Sequence, residues 1–254
     1  MNVIALPLTH SKIARRHKAL WFTVLPLTAF AVLLSAISPA APRTGGSEDL
    51  AFTAKIIAIF TGIAYSAAFD DFFTVSARLG MSELEASTPV HAAILRTARV
   101  IGAFTVVFTP SLAILLLVGV KQAISGHVLS PFIAIAVSLT IVAPAALIAM
   151  AISGLTGTVL PRAIGRITAV MIWFWLVFSS PMLPVPTLNG SFLGVIGDTV
   201  GAGYFGAEPI YSPSGALGLA STPQAATISL IWEVVLIVLL LALGSWIADR
   251  LRRC

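Results

Sequence analysis

Residues 100–120 read VIGAFTVVFTPSLAILLLVGV, an apolar run without one charged side chain. Wound as a helix at about 1.5 Å per residue, such a run is about 30 Å long, the thickness of a bilayer's hydrocarbon core. Five further runs, at about 19–38, 51–69, 131–153, 166–183 and 227–248, are similarly apolar. They are continuous, not alternating over strands of about ten residues, which argues against a β-barrel. The pattern predicts an all-α, polytopic membrane protein with six transmembrane helices.

Composition agrees. Of 254 residues, 58% are hydrophobic and 10% charged, where soluble domains carry roughly 25% charged residues. The mean hydropathy is +1.00. Residues 1–254 read as a single transmembrane domain, because no remaining polar segment is long enough to fold as a soluble catalytic domain. The single cysteine, Cys254, excludes internal disulfides and cysteine-ligated metal sites. Basicity here follows from retention of positive loops on the cytoplasmic side, not from nucleic-acid binding.

Lysine and arginine set the orientation. Lys12, Arg15, Arg16, Lys18, Arg78, Arg96, Arg99, Arg162, Arg166, Arg250, Arg252 and Arg253 fall on one side. Arg43, Lys55 and Lys121 fall on the other, with Lys55 near the end of span two and expected to snorkel. The asymmetry predicts that both termini are cytoplasmic. A cleaved signal peptide is the rival reading, since Ser35, Ala36, Ser38 and Ala40 follow the first run; that run is long for a signal core.

Residues 1–18 form a basic cytoplasmic pre-helix, and 8–20 can lie along the inner surface with Leu8, Ile13 and Leu20 near one face. Residues 39–50 make a Pro/Gly-rich outer turn. Pro110 and Pro144 fall near the middle of spans three and four and predict kinks, with Thr109 and Ser111 placed to satisfy freed carbonyls. Such kinks suit a bundle that opens and closes, and equally suit ordinary packing. Residues 184–226 form a large external loop with eight glycines but many apolar side chains, among them Phe192, Val195, Ile196, Tyr204 and Phe205. A solvated linker is less apolar, so the loop is expected to make short helices that cap the bundle or dip into the outer leaflet.

Several motifs carry no chemistry in context. Gly201, Gly203 and Gly206 spell G-x-G-x-x-G, without the preceding strand and following acid of a dinucleotide site. Asn189-Gly190-Ser191 is a glycosylation sequon, relevant only in a eukaryotic secretory pathway. No G-x-x-x-x-G-K-[ST] is present, so ATP is not bound here by a P-loop. Asp70 and Asp71 could hold a metal in a membrane-embedded transferase, though a solvated helix end explains them too, and no second acidic cluster follows. His10, His17, His91 and His127 fall on both sides of the membrane and do not converge. Glu233 is the one clear acid inside a span, a candidate for the translocation path or a subunit interface.

The functional signal lies in the cytoplasmic loop 70–99. Its centre, Ser82-Glu83-Leu84-Glu85-Ala86-Ser87-Thr88-Pro89, starts as a capping box with Ser82 as N-cap and Glu85 at N3. Pro89 stops that helix before the next one enters the membrane. A short helix of this kind, apolar and acidic, fits a groove on a cytoplasmic partner.

Here the chain resembles the transmembrane subunit of type-2 ABC exporters, the permeases that export drugs, antibiotics and polysaccharides. Arg78, Gly80, Glu83, Leu84, Thr88, Pro89 and Arg96 follow the order of that family's loop between its second and third helices. The family's more frequent Leu-Leu after the glutamate is Leu84-Glu85 here. The six spans, basic pre-helix and large outer loop extend the resemblance over nearly the whole chain. It implies a bacterial plasma-membrane permease that dimerises with a second copy or a homologue and binds separate P-loop ATPase subunits. Those subunits would carry ATP and Mg, and this chain would need no cofactor and catalyse nothing. Ser82, Glu83, Leu84, Glu85, Thr88 and Pro89 would contact the ATPase. The alternatives are a transferase using Asp70 and Asp71, or a six-span accessory or immunity protein.

Overall fold

A computed structural model describes residues 5–15, 18–74, 92–180, 186–213, 217, 218 and 220–251. Among them every regular element is helical: α1 (Ala5–Arg15), α2 (Lys18–Ile37), α3 (Ser47–Ala68), α4 (Ala92–Ile124), α5 (Ser130–Val137), a π-helical turn (Ser138–Val142), α6 (Ala143–Val159), α7 (Arg162–Phe178), α8 (Asp198–Phe205) and α9 (Pro223–Leu251).

The helices begin where the chain supplies donors' partners and favourable charge. Glu48 and Asp49 occupy the first turn of α3, where acids complement the helix dipole. Asp49 also accepts from the Thr44 and Gly45 amides, folding the preceding turn onto the helix. At α9, Thr222 Oγ1 accepts from the Ala225 amide and Pro223 takes the first position, where its missing amide costs nothing.

Four helical stretches are long and apolar enough to cross a membrane: Ser47–Ala68, Ala93–Ile124, Ser130–Val159 and Pro223–Leu251. The described residues are therefore all-helical, with four helices of the length and apolarity that a membrane protein needs. The other two expected spans are shorter. The apolar part of α2, Trp21–Ile37, and all of α7, Arg162–Phe178, measure about 25 Å against a core of about 30 Å.

Small residues set the packing. α3 lies at the centre, touching α2, α6, α7, α8 and the π turn. Gly62 on α3 receives the indole of Trp173 from α7; an added Cβ would stand 2.1 Å from that ring. Trp173 is fully buried and donates from Nε1 to the Ile59 carbonyl. Gly119 lets α4 meet the start of α5 at Ser130 and Ala134. Gly102 admits α1, whose Pro7 and His10 lie against it. α1 thus packs on α4 and ends at Arg15, and Leu8 is exposed instead of facing the bundle.

Cross-contacts fix the directions. α3, α5–α6 and α9 run one way, and α2, α4 and α7 run the other. At one end Ser47 Oγ donates to the Phe205 carbonyl, and Gly203 of α8 lies against Thr222 and Ala226. At the other end the Phe73 ring fits between Gly154 of α6 and Gly244 of α9. α9 is the peripheral helix: 17% of its most apolar window is buried, against 72% for α3.

The prolines do different things. α4 continues through Pro110. Thr109 Oγ1 donates to the Thr105 carbonyl, and Tyr65 of α3 donates to the Val107 carbonyl, next to the Val106 carbonyl that Pro110 leaves without an amide. Pro144 follows directly on the π turn, where the Ala143 amide reaches back to the Ser138 carbonyl. α2 also contains Pro26.

Candidate functional site

The base of the 70–99 loop is held by four helices. Asp70 is 1% exposed, and its two carboxylate oxygens are taken by separate arginines of α7. Arg162 Nε donates to Oδ2 at 3.1 Å; Arg166 donates to Oδ1 from Nε at 3.1 Å and Nη2 at 2.9 Å. The arginines are four residues apart, so one helix face presents both. Arg99 of α4 donates to the Phe72 carbonyl at 3.0 Å. The Phe69 amide donates to Ser153 Oγ of α6, and Gly157 leaves room for the Asp70 backbone. Phe73 then closes the joint between α6 and α9. Deeper in the same end, Arg96 of α4 donates to the Ser245 carbonyl and pairs with Asp249 of α9.

This arrangement corrects the reading of Asp70 as a solvated helix end. The carboxylate is buried because two guanidiniums replace its water. A metal would have to displace both of them, and Asp71 beside it is half-buried. No group of three His, Cys, Asp or Glu suited to a metal occurs among the described residues. Ser82, Glu83, Leu84, Glu85, Thr88 and Pro89, together with Arg78 and Gly80, lie outside the described residues. The structure therefore describes both roots of the loop and not its centre.

At the opposite end, residues 186–213 fold into a compact plug. Asn189 Nδ2 donates to the Val177 and Ser179 carbonyls, and Val195 and Ile196 are buried. Gly197 and Gly206 bound α8 with φ of 69° and 71°, left-handed values that favour glycine. An added Cβ at Gly203 would stand 2.3 Å from the Thr222 carbonyl oxygen. Within the G-x-G-x-x-G string Gly203 thus serves close packing and Gly206 the left-handed helix end.

The plug is pinned by Lys55. Its side chain is 0% exposed, so it does not snorkel; it points into the bundle. Nζ donates to Asp198 Oδ1 at 3.1 Å and to the Glu208 carbonyl at 2.6 Å. Asp198 also accepts from the Ile210 and Tyr211 amides at 2.9 and 3.0 Å. Tyr211 in turn donates from its hydroxyl to the Val177 carbonyl. Burial, and then the Asp198 charge, push the Tyr211 phenol above its ordinary value.

Glu233 lies between these two ends, on the buried stripe of α9 with Ser229, Gly244 and Ala248. It is 1% exposed and so does not reach the surface. Neither carboxylate oxygen has a hydrogen-bond partner among the described residues. Pro144 is buried in α6, and Pro110 in α4.

No protein-family model, curated protein or solved structure matches this chain. The residues carry the functional argument alone. Sequence reasoning missed Asp198, Phe73 and the role of Arg162 and Arg166. The arginine spacing was a readable signal, as was an acid at the only charged position between Pro184 and Ala207.

Proposed function

We propose that this chain is the membrane subunit of an ATP-driven exporter of the type-2 ABC class. In this reading it spans a bacterial plasma membrane six times, with both termini and the 70–99 loop in the cytoplasm. It pairs with a second permease and takes its energy from separate P-loop ATPases. The substrate is a hydrophobic or amphipathic molecule, and the chain performs no bond chemistry of its own.

One observation carries the reading beyond sequence resemblance: the root of the 70–99 loop is joined to α4, α6, α7 and α9 at once. A force that reaches the Asp70 root meets no slack segment there. It is delivered through Asp70 to α7, through Phe72 to α4 and through Phe73 to α6 and α9. A loop that merely connected two spans would need none of these attachments. In the six-span reading α2 spans as the full Lys18–Ile37 helix, 20 residues or about 30 Å, and α7 spans at about 25 Å with local thinning of the bilayer.

The test uses the chain co-expressed with candidate P-loop ATPase subunits from the same organism. Glu83→Lys should leave the permease inserted and folded but lose ATPase retention or substrate-stimulated hydrolysis, since breaking a desolvated charge contact costs about 2–5 kcal/mol of binding. Normal co-purification with normal stimulated hydrolysis would refute the docking role.

A further inference from the structure

Lys12 and Arg15 of α1 stand apart from the cations of the bundle. Lys55, Arg96, Arg162 and Arg166 each meet a carboxylate. Lys12 and Arg15 are exposed and form no ion pair among the described residues. Residues 1–47 and 92–124 contain no Asp or Glu, so α1, α2 and α4 offer these two cations no counter-ion.

Packing on α4 decides which way they face. Pro7 and His10 lie against Gly102, and Ala14 is buried. Leu8, Lys12 and Arg15, spaced by four and three residues, share another stripe, and all three are exposed. Gly102 is the third residue of the apolar run 100–120, and the run of α2 opens at about residue 19. α1 therefore crosses α4 where the apolar stretches begin, which in a bilayer is the level of the lipid headgroups. Beside it Trp21 and Val24 of α2 and Val106, Val107 and Pro110 of α4 line an apolar cleft of about 160 Å³. Val106 and Pro110 continue the Gly102 stripe in steps of four, so the cleft lies directly on the apolar side of α1. Trp21 joins the two features: its ring lines the cleft, and its Nε1 donates to the Arg15 carbonyl at 3.1 Å.

We propose that α1 and this cleft bind an anionic glycerophospholipid, with its phosphate at Lys12 and Arg15 and one acyl chain against the cleft. The inference stands apart from the exporter reading and needs only that the apolar helices lie in a bilayer. Side chains three residues apart on a helix have Cβ atoms about 5–6 Å from each other, so one phosphate can accept from both cations. The cleft suits a hydrocarbon chain, because its one polar group, the Trp21 N–H, is already committed to Arg15. A zwitterionic headgroup brings its own ammonium up to two cations and loses the net attraction. An acidic peptide matches the charges but leaves the cleft unfilled. Each lysine or arginine at an anionic lipid surface favours binding about fivefold.

The test uses the full chain in phosphatidylcholine nanodiscs with no ATPase present. The probe is phosphatidylglycerol brominated in its acyl chains, which quenches an indole that it touches. The Trp21 signal is the difference between the wild type and Trp21→Phe. Brominated phosphatidylglycerol should reach half-maximal quenching of Trp21 at a mole fraction roughly tenfold lower than brominated phosphatidylcholine does. Lys12→Gln/Arg15→Gln should bring the two curves together with unchanged thermal unfolding. Coincident curves in the unsubstituted protein, the outcome if α1 instead faces an acidic protein, would overturn the proposal without recourse to the double variant. A preference for phosphatidylglycerol that survives in the double variant would also overturn it.

Discussion

Lys55 donates to Asp198 at 3.1 Å across 143 residues of sequence, and the lysine side chain is wholly buried. The pair ties the central helix to the plug, and its two members are not equivalent. Asp198 without Lys55 keeps two backbone donors. Lys55 without Asp198 keeps one carbonyl and an ammonium in an apolar setting. Asp198→Ala should therefore destabilise by about 3–5 kcal/mol, more than Lys55→Met, and the double variant should recover part of the loss. Thermal unfolding in lipid nanodiscs of the three variants checks the order; equal losses in both single variants would contradict it.

Asp70 predicts an asymmetry of the opposite sense. Its own side chain is 1% exposed, whereas those of Arg162 and Arg166 are 57% and 42% exposed. Asp70→Ala releases two arginines into solvent and should cost about 1.5–3 kcal/mol. Removing both arginines leaves a buried carboxylate uncompensated and should cost about 3–5 kcal/mol. Denaturation of Asp70→Ala beside Arg162→Ala/Arg166→Ala measures the difference. A milder effect of the double arginine variant would mean that Asp70 gains water instead.

Tyr211 makes the plug sensitive to alkali. Its pKa is raised from 10.0 by burial first and the Asp198 charge second, so folding holds the phenol proton more tightly than the unfolded chain does. The stabilisation from the neutral phenol is complete below about pH 10 and is lost as pH rises through the higher folded value. After correction for intrinsic base catalysis, hydrogen exchange in residues 186–213 should still accelerate above pH 10 in the wild type. Tyr211→Phe should flatten that rise while adding a small constant loss, about 1 kcal/mol, from the missing bond to Val177.

Orientation is read by labelling. With Cys254 replaced by serine, cysteines at the exposed positions Ser221 and Ala163 report opposite ends of the bundle. An impermeant maleimide applied to intact cells should modify Ser221→Cys and spare Ala163→Cys. Modification in the reverse pattern would invert the assignment of cytoplasmic and external sides.

The long helices were legible because hydrophobic length is a local property. Residues 100–120 announce α4 without reference to anything else. Glu233 was legible for the same reason, as an acid in an apolar run. The Lys55 pair was not, because its burial depends on Asp198, which folds back from a glycine-rich loop on the far side of four helices. The π turn was also hidden: Ser138–Val142 looks like its neighbours, and only the demands of Pro144 and the approach of Gly197 to Ile141 distinguish it. Asp70 looked solvated because its partners begin a helix ninety-two residues later. What the sequence concealed throughout was pairing between distant segments, since charge identity alone does not tell which cation meets which anion.

The distance between Lys55 and Asp198 along the chain is also an interval of time. At about 5–20 residues per second, on the order of ten seconds separate their emergence from the ribosome. Throughout that interval the first long apolar helix carries an ammonium whose counter-ion does not yet exist. It must wait with Lys55 turned to water, lipid headgroups or the insertion machinery, and it settles at the centre of the bundle only once α8 has been made. The innermost helix of the finished protein is thus among the last to take its final place.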